Sequence, residues 1–262
     1  MEGFIVHIND MNLLCELLKY VDDSTTYESI SLMTPEDSIM QENLNLTKLW
    51  TDNNKMKINT SKTKEMIINM STKPIILDKL SLNNTELETV HTYKLVGVTI
   101  SDDMTWKAHI DTIVKKNNTK IYYLNLLRRA GVKERDLVHF YTTVIRPSIE
   151  YAAPVWGTNL PEYLLQNLEL LQKRALKIIF PLLSYEDALE HSHILKIKDR
   201  IDDTCRAFFN KVQDKQDKLH SLLTEENNTL HNTRHKKKYS LPQCNTNRFK
   251  HSFIPYSLFN YQ

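Results

Sequence analysis

Scarce glycine limits the turns that this chain can make. The sequence has four glycines in 262 residues, about 1.5% where an average protein has about 7%. Glycine-rich phosphate loops, dinucleotide-binding turns and the nucleophile elbow of α/β-hydrolases all need glycines at fixed spacings. None of these motifs occurs here, so the corresponding chemistries are excluded. If this protein acts on phosphates, it does so without a glycine-rich cradle.

The rest of the composition is that of an ordinary soluble protein with one or two domains. Hydrophobic residues make up 41% and charged residues 25%, enough apolar surface for a buried core. Three cysteines without a C-x-x-C pair give no disulfide framework. The N-terminal residues lack a basic segment followed by an apolar one. We therefore expect an intracellular protein, cytoplasmic or nuclear, that is neither secreted nor in contact with a membrane.

Charge is distributed unevenly along the chain although the net charge is only +2. Residues 1–52 hold two lysines and ten acidic residues, a local charge of 2 − 10 = −8. Residues 107–146 hold nine basic and three acidic residues (+6), and residues 227–262 hold six basic residues and no acid (+6). This order is typical of a protein that gathers cations at one place and polyanions at another. Unequal solvated faces are the alternative.

Residue periodicity predicts an α+β chain. Two apolar flanks around Asp22 and Asp23 predict a β-hairpin within 13–32. A helix is predicted to start with Thr34 as its N-cap and Pro35 at its first position, and to end near 53–54. Its predicted apolar stripe is Ile39, Leu46, Leu49 and Trp50.

The remainder is predicted as a short β region followed by helices. The candidate strands are 66–68, 80–82 (with a turn at 83–84) and 93–100. Helical periodicity begins near residue 105 and ends at Gly131, and Pro147 is expected to stop the next helix. The predicted helices are 105–129, 133–146, 160–179 and 194–217, and residues 218–262 are expected to be only loosely folded.

Two adjacent carboxylates at the tip of the predicted hairpin are the candidate chemical groups. Hard oxygen ligands of this kind suit Mg²⁺, and metal ions in phosphoryl-transfer sites stabilise the attacking and leaving oxygens. An exposed Asp-Asp pair is more often a solvated turn, because aspartate hydrogen-bonds nearby backbone. Taken by themselves, Asp22 and Asp23 leave both interpretations open.

Seven segments, in order along the chain, resemble motifs of one family. Tyr20-Val21-Asp22-Asp23-Ser24-Thr25-Thr26 is similar to the Y-A-D-D-T-T of that family's catalytic hairpin. The other similar segments are 8–11 (I-N-D-L), 50–63 (W-x3-N-x-L-x-L-N-x2-K-T), 93–110 (K-x-L-G-V and W-x2-H-I), 146–157 (R-P-x-L-x-Y-x3-V-W-G), 171–174 and 248–255. With these segments the chain resembles the reverse transcriptases of LINE-type (non-LTR) retrotransposons.

The resemblance implies a role for several residues. Asp22 would be a ligand shared by two catalytic Mg²⁺ ions, with Asp23 in support, and Lys62 would lie near the phosphates of the incoming nucleotide. Tyr20 and Val21 would lie near the primer terminus. The other nucleic-acid contacts would be Gly97 in the primer-grip hairpin and, on the helix at 105–129, Lys115, Lys116, Lys120, Arg128 and Arg129.

The same resemblance implies partners and an architecture. The partners would be an RNA template and a DNA primer, with Mg²⁺ as cofactor and no small-molecule cofactor. Residues 1–104 would be a partial polymerase palm of hairpin, helix and short sheet. A helical thumb and connection (105–180), a C-terminal helical region (181–226) and a basic, flexible tail (227–262) would follow.

Parts of the family pattern have no counterpart in this sequence. The fingers and the strand with the first metal-binding aspartate would precede residues 8–11, so we expect an N-terminally truncated fragment that does not polymerise alone. One alternative is a retained nucleic-acid-binding or protein-interaction module in which the carboxylates are vestigial. Another is a translated remnant that folds only marginally, because an isolated hairpin is barely stable.

Three further patterns in the sequence have both a functional and a structural interpretation. His231, His235, Cys244 and His251 have the residue types of a zinc site but not its usual spacing. Trp50, Trp106 and Trp156 are expected to pack in the core rather than to stack on bases. The basic run at 234–238 fits either a nuclear-localisation or nucleic-acid patch or a solvated tail.

Overall fold

The computed structural model describes residues 10–21, 23–227 and 237–262. Two compact units make up the chain: Met1–Thr105, here the strand-containing unit, and Trp106–Gln262, here the helical unit. The named strands of the described residues all lie in the first of these, and nearly all helices in the second. The predicted α+β class is therefore confirmed. No helix in the described part of the chain is long and apolar enough to cross a membrane.

The strand-containing unit begins with the predicted hairpin. Strands β1 (Glu16–Tyr20) and β2 (Asp23–Tyr27) are antiparallel, and Tyr20 pairs with Asp23 at the tip. Val21 follows β1 with φ of +57°. A β-branched residue is strained in this left-handed region, so the tip is held in a conformation that its own sequence disfavours.

The first helix, α1 (Met40–Asn53), starts later than the sequence predicts. Pro35–Asp37 form a single 3-10 turn, and the Thr34 side chain caps nothing. Glu28 takes over the capping: its carboxylate accepts from Ser38 Oγ at 2.5 Å and from the Ile39 N–H at 3.1 Å. An acidic group is favourable at this end of a helix, so a residue after β2 sets where the helix begins.

The predicted apolar stripe of α1 is wrong at two of its four positions, since Leu46 and Trp50 are half-buried but the other two residues are exposed. Asn43 and Thr51 are its buried residues, whereas Leu49 is 58% exposed and Ile39 40% exposed. Asn43 is buried because its Oδ1 accepts from the Leu14 and Cys15 N–H groups at 3.0 and 3.1 Å. The helix is thus attached to the segment before β1 by a polar anchor.

Short strands complete this unit. The paired elements are β3 (Lys64–Glu65) with β6 (Glu88–Thr89) in parallel, β4 (Ser81–Leu82) with β5 (Thr85–Glu86), and β7 (Thr92–Leu95) with β8 (Val98–Ser101), both antiparallel.

Two of the strand predictions need correction and one turn is confirmed. The first strand lies at 64–65 and not at 66–68. Residues 93–100 form a hairpin instead of one strand, because Val96 and Gly97 both adopt positive φ (+45° and +85°) and reverse the chain. The predicted turn at Asn83 and Asn84, with φ of +55° and +59°, has the same form.

The helical unit opens with the long helix that periodicity predicts, α2 (Lys107–Arg129). It ends at Gly131, whose φ of +82° and N–H bond to the Arg128 carbonyl are typical of a glycine after a helix. The other helices of the described residues are α3 (Glu134–Phe140), α4 (Arg146–Glu150), α5 (Ala153–Trp156), α6 (Glu162–Ile179), α7 (Tyr185–Ser192), α8 (Ile197–Val212), α9 (Asn247–His251) and α10 (Phe253–Asn260).

Pro147 does not stop the helix as the sequence suggests. A π-helical turn at Tyr141–Ile145 joins α3 to α4, and the Arg146 N–H bonds the Tyr141 carbonyl five residues back. Pro147 then falls in the first turn of α4, where its missing N–H is not needed. Helical backbone therefore continues to Glu150.

The next helices differ from prediction in number as well as length. α6 matches the predicted 160–179, but the single helix predicted at 194–217 is the shorter α8, and α7 was not predicted. Ser184 caps α7 by accepting from the Asp187 N–H. His193 then ends it with φ of +53°. Eight residues are too few for a clear apolar periodicity, so hydrophobic periodicity does not predict this helix.

The core of the helical unit is formed mainly by α2 and α6 with the segment around the π turn. The fully buried side chains there include Leu124, Tyr141, Trp156 and Leu168. Trp106 is also buried, so for Trp106 and Trp156 the expectation of core packing is confirmed.

Residues 237–262, for which composition suggested only loose folding, pack against α8. Phe209 of α8, Tyr239 and Leu258 of α10 form a small buried cluster. Partly buried residues at its edge are Leu223, Phe253, Ile254 and Tyr261. The Lys237 ammonium, part of the predicted basic patch, bonds the Phe259 carbonyl at 2.7 Å and so caps α10. Aromatic residues that are scattered in sequence thus form a core once the chain returns to α8.

Candidate metal and nucleic-acid site

The hairpin tip presents the predicted catalytic segment to solvent. Tyr20 is 60% exposed, Val21 38%, and Asp23 is exposed beside them. Asp22 lies outside the described residues, so only Asp23 of the predicted carboxylate pair has a described position. Asp23 is a hard oxygen donor of the type that Mg²⁺ takes.

Two residues of α1 hold the segment that leads into this hairpin. The Trp50 indole N–H donates to Asp10 Oδ1 at 3.2 Å, and Asn43 accepts from the two N–H groups before β1. The half-buried Trp50 side chain therefore positions the chain before the hairpin.

Lys62 is exposed in a turn that Asn59 organises. Asn59 Oδ1 accepts from the Lys62 N–H at 3.2 Å and from Ser61 Oγ at 2.7 Å. Within the described residues, the Lys62 ammonium and the Asp23 carboxylate form no ion pair with each other or with another residue. The structure thus explains Asn59 as the residue that shapes the loop, and it does not bring these two candidate catalytic residues together.

No cluster of three or more metal-ligating side chains occurs among residues 10–21, 23–227 and 237–262. The candidate zinc set is divided: His231 and His235 lie outside these ranges, whereas Cys244 and His251 lie within them.

Gly97 occupies the turn between β7 and β8 with φ of +85°. Side chains other than glycine rarely adopt this conformation, so the turn needs a residue without Cβ. The residue is exposed, which leaves its backbone accessible at the hairpin end.

The basic residues of α2 do not form one face. At 100° per residue, Lys115 and Arg129 lie opposite the buried stripe, whereas Lys116 and Lys120 lie on one flank. Lys120 donates to the Val144 carbonyl at 2.7 Å, and burial, with the nearby Lys116, lowers its pKa. Lys120 therefore joins α2 to the π turn.

Arg128 is the second of these cations with an internal partner, since its Nη2 lies 3.8 Å from Glu134 Oε1. Lys115, Lys116 and Arg129 have no carboxylate oxygen within 4.0 Å among the described residues, and all three are exposed. They are the part of the predicted set whose charge faces solvent without compensation.

Sequence reasoning missed a basic group on α6. Arg174 Nη1 donates to Asn118 Oδ1 of α2 at 2.7 Å, which places a guanidinium beside the exposed side of α2. Lys173 and Lys177 are exposed nearby on the same helix. Three cations within five residues were a usable signal, but only tertiary packing shows that they border α2.

Several motif residues of the helical unit are structural. The Glu150 carboxylate accepts two bonds from Arg200 at 3.1 and 2.9 Å, and Arg146 lies 3.8 Å away. This pairing raises the pKa of Arg200. A Cβ on Gly157 would lie 2.5 Å from Ile201 Cγ2, so the glycine permits close approach of α8.

Gln172 is the centre of a buried polar network. Its Oε1 accepts from the Tyr141 hydroxyl at 2.5 Å, and its Nε2 donates to Tyr185 Oη at 2.9 Å and to the Leu195 carbonyl at 3.0 Å. The Tyr185 hydroxyl donates to Glu169. Burial is the main cause that raises the pKa of both tyrosines, so their hydroxyl groups stay neutral and donate hydrogen bonds.

Comparison with known proteins identifies relatives of this chain. Two similar proteins are the RNA-directed DNA polymerases from the mobile element jockey of Drosophila melanogaster and of Drosophila funebris. Each is 24% identical over 162 residues, which is 61% of this chain and 17% of the relative. No protein-family model matches the chain. No solved structure matches it either.

The jockey polymerases belong to LINE-type elements, the family to which the sequence motifs also pointed. The match covers less than a fifth of each relative's length and so concerns a region of those proteins. This chain contains a region related to the reverse transcriptase of LINE-type (non-LTR) retrotransposons.

Proposed function

We propose that the helical unit binds the sugar-phosphate backbone of a primer–template duplex, as part of an RNA-directed DNA polymerase, and that the hairpin tip holds Mg²⁺. The observation that carries this proposal is the solvent side of α2. Lys115, Lys116 and Arg129 are exposed there and have no carboxylate within 4.0 Å among the described residues. Unpaired cations along one long helix give sequence-independent, salt-sensitive affinity for phosphates.

The hairpin would supply the metal-binding part. Asp22 and Asp23 would hold the ion, and the exposed Asp23 carboxylate has suitable donor chemistry. A bound Mg²⁺ stabilises the charge that develops on phosphate oxygens during phosphoryl transfer. Tyr20 and Val21, exposed at the same tip, would contact the primer end, and Lys62 would contribute a positive charge near the phosphates.

Salt-dependent binding tests the proposal. The full 262-residue chain should bind a labelled RNA–DNA hybrid at about 50 mM salt and much more weakly at about 200 mM. Lys115→Gln with Lys116→Gln should lower the slope of log affinity against log salt by about 1 per residue. The matched control, Lys196→Gln with Lys198→Gln at the start of α8, should leave this slope unchanged. Absence of binding at low salt would contradict the proposal.

We also propose that the 262-residue chain does not extend a primer by itself. In the family that it resembles, the metal ions share a further aspartate on a strand that no matched motif supplies here. A site with fewer shared carboxylates neutralises the ions poorly and positions the phosphates poorly. RNA-templated extension by the purified chain, lost in Asp22→Asn, would refute this.

A second function is a binding module in which the carboxylates no longer matter. The helical unit favours this alternative because it has its own buried core of Tyr141, Trp156 and Leu168. Titration with Mg²⁺ separates the two cases. If the chain is only a binding module, Asp23→Asn should leave the effect of Mg²⁺ on hybrid binding unchanged. If the hairpin tip is a polymerase-derived metal site, Asp23→Asn should abolish that effect. A chain without a cooperative melt would instead be an unfolded remnant.

A further inference from the structure

A pocket of about 300 Å³ lies between the end of α6 and the start of α7. Its lining combines basic residues of α6 with apolar residues from both helices and the loop between them, and no acidic residue lines it. This volume is at the lower end of those found for small-ligand sites. It is large enough for one nucleotide-sized group and too small for a duplex.

The three cations at the pocket have neutral partners. Arg174 bonds the Asn118 amide oxygen at 2.7 Å, Lys177 bonds the Pro181 carbonyl at 2.8 Å, and the Lys173 ammonium lies 5.0 Å from the centre of the Tyr185 ring. Each partner orients the charge without neutralising it. The pocket therefore presents fixed positive charge, which fits an anionic ligand.

The floor of the pocket is apolar. Leu176, Phe180 and Ala188 are buried beneath it, and Leu183 and Tyr185 are half-buried at its side. The Tyr185 ring is held in place by its hydroxyl bonds to Glu169 and Gln172. A bare inorganic anion would gain nothing from such a floor, so the ligand should carry an apolar, planar group beside its negative charge.

The Asp187 carboxylate lies close to the pocket, since it accepts from Ser184 Oγ at 2.7 Å. Asp187 is also in the first turn of α7, where the helix dipole offsets an acidic charge. Glu169, which accepts from the Tyr185 hydroxyl, and Glu186 also lie near Tyr185, but neither they nor Asp187 line the pocket, whereas all three cations do.

The pocket borders the proposed backbone-binding side of α2. Asn118, which holds Arg174, lies on one helix ridge with Lys115 and Tyr122, at i − 3 and i + 4. Tyr122 is 58% exposed. Basic groups interleaved with accessible aromatic rings are the arrangement that proteins use for single-stranded nucleic acids, whose bases are free to stack.

We propose that this α6–α7 pocket holds one unstacked nucleotide of a single-stranded nucleic acid. Arg174 and Lys177 bind its phosphate, and its base lies against Leu183 and Tyr185. The inference rests on the proposed nucleic-acid binding by the helical unit and adds a site for a single-stranded segment next to the duplex-binding helix.

The test compares two labelled single strands of equal length, oligo-deoxythymidine and its abasic analogue, against the full chain. The wild type should bind the strand with bases about tenfold more tightly. Leu183→Ser should reduce this preference to about threefold or less. The matched control is Leu182→Ser, which changes a side chain that is 96% exposed and outside the pocket, and it should retain the preference.

A second pair of variants tests the phosphate contacts. Arg174→Gln with Lys177→Gln should lower the salt slope by about 0.7 per residue for both strands. Lys196→Gln with Lys198→Gln should not change it. Oligo-uridine, used as a further arm, distinguishes an RNA from a DNA preference, because only RNA offers the 2′-hydroxyl.

The outcomes distinguish the pocket assignment from the nucleic-acid binding by the helical unit on which it rests. Equal affinity for the two strands, or equal behaviour of Leu183→Ser and Leu182→Ser, overturns the pocket assignment but leaves duplex binding by α2 in place. Failure of the wild type to bind any nucleic acid at low salt overturns both. Leu183-dependent displacement of the oligonucleotide by polyglutamate would assign the pocket to an acidic protein and also overturn the inference.

Discussion

Replacement of Gly157 by alanine should destabilise the helical unit by about 1–2 kcal/mol. The new Cβ would lie 2.5 Å from Ile201 Cγ2, roughly 1 Å closer than two carbon atoms pack. Ile201 is buried and β-branched, so its χ1 cannot rotate the methyl group away. Overpacking of this kind costs about 1–3 kcal/mol. Since Gly157 has helical φ and ψ of −69° and −35°, alanine regains about 0.5–1 kcal/mol of conformational entropy.

Urea unfolding followed by tryptophan fluorescence measures this change in one unit. Trp106 and Trp156 are both buried in the helical unit. In a Trp50→Phe background, the signal therefore comes from that unit alone. The midpoint should fall while the slope of the transition stays constant, because the amount of surface exposed on unfolding does not change.

Two comparisons separate the steric contact from a general intolerance of alanine. Ile201→Leu removes the methyl group on Cβ, so Gly157→Ala with Ile201→Leu should cost less than the sum of the single changes. Gly131→Ala is the control, since its φ is +82° and nothing lies within 4 Å of its Cβ. It should cost about 1 kcal/mol through backbone strain alone, additively with Ile201→Leu. An unchanged midpoint for Gly157→Ala, or strict additivity with Ile201→Leu, would refute the reasoning.

Three further changes follow from buried or strained groups. Gln172→Ala removes a fully buried side chain that bonds Tyr141, Tyr185 and the Leu195 carbonyl, and it should cost about 2–4 kcal/mol in the same assay, against less than about 0.5 kcal/mol for the exposed Gln166→Ala. Burial, assisted by a nearby aspartate, raises the pKa of Cys205 to about 12 from 9.0. The unfolded thiol then ionises first, so stability of the helical unit should fall as pH rises above about 9, and Cys205→Ala should remove the first part of this fall, before the buried tyrosines with their ordinary value of 10.0 contribute. Val21→Asn should relieve the positive φ at the hairpin tip and stabilise the strand-containing unit by about 1 kcal/mol, measured as the difference between the fluorescence transitions with and without Trp50, whereas Val90→Asn should not.

Local signals predicted the elements whose ends are set by their own residues. The turn at Asn83 and Asn84 follows from residues that accept tight turns, and the hairpin at β1–β2 follows from the apolar flanks around Asp22 and Asp23. Helix α2 follows from a sustained apolar period, and its end follows from Gly131. In each case the deciding interaction lies within a few positions along the chain, so one sequence is sufficient.

Elements whose ends depend on distant residues could not be predicted. The start of α1 is fixed by Glu28, eleven residues before Ile39. The helix therefore does not begin after Thr34, which the sequence predicts as its N-cap. Helical backbone passes Pro147 because the preceding turn is π-helical. The packing of residues 237–262 requires contact between Leu258 and Phe209, which lie far apart in sequence.

In the candidate site, too, local features could be predicted from the sequence and features that depend on distant residues could not. Exposure of Tyr20, Val21 and Asp23 follows from a tight turn and could be expected. The basic residues of α2 were all plausible nucleic-acid contacts by type. The structure separates them by their partners, because Lys120 bonds the Val144 carbonyl and Arg128 lies near Glu134. Lys120 is half-buried and Arg128 has a carboxylate partner, so neither presents an uncompensated charge on the exposed side of α2, and no sequence pattern reveals this.

The motif residues of the helical unit are mostly structural, and Arg174 of the segment 171–174 is the exception that is also a candidate binding residue. Gly157, Gln172 and Glu150 belong to segments that resemble the family, and each is buried or internally bonded. The exposed cations Arg174 and Lys177 bond neutral groups and keep their charge for a ligand. Nucleic-acid binding must therefore be tested at the exposed cations, because substitution of the buried motif residues would disturb the fold before it disturbed the ligand.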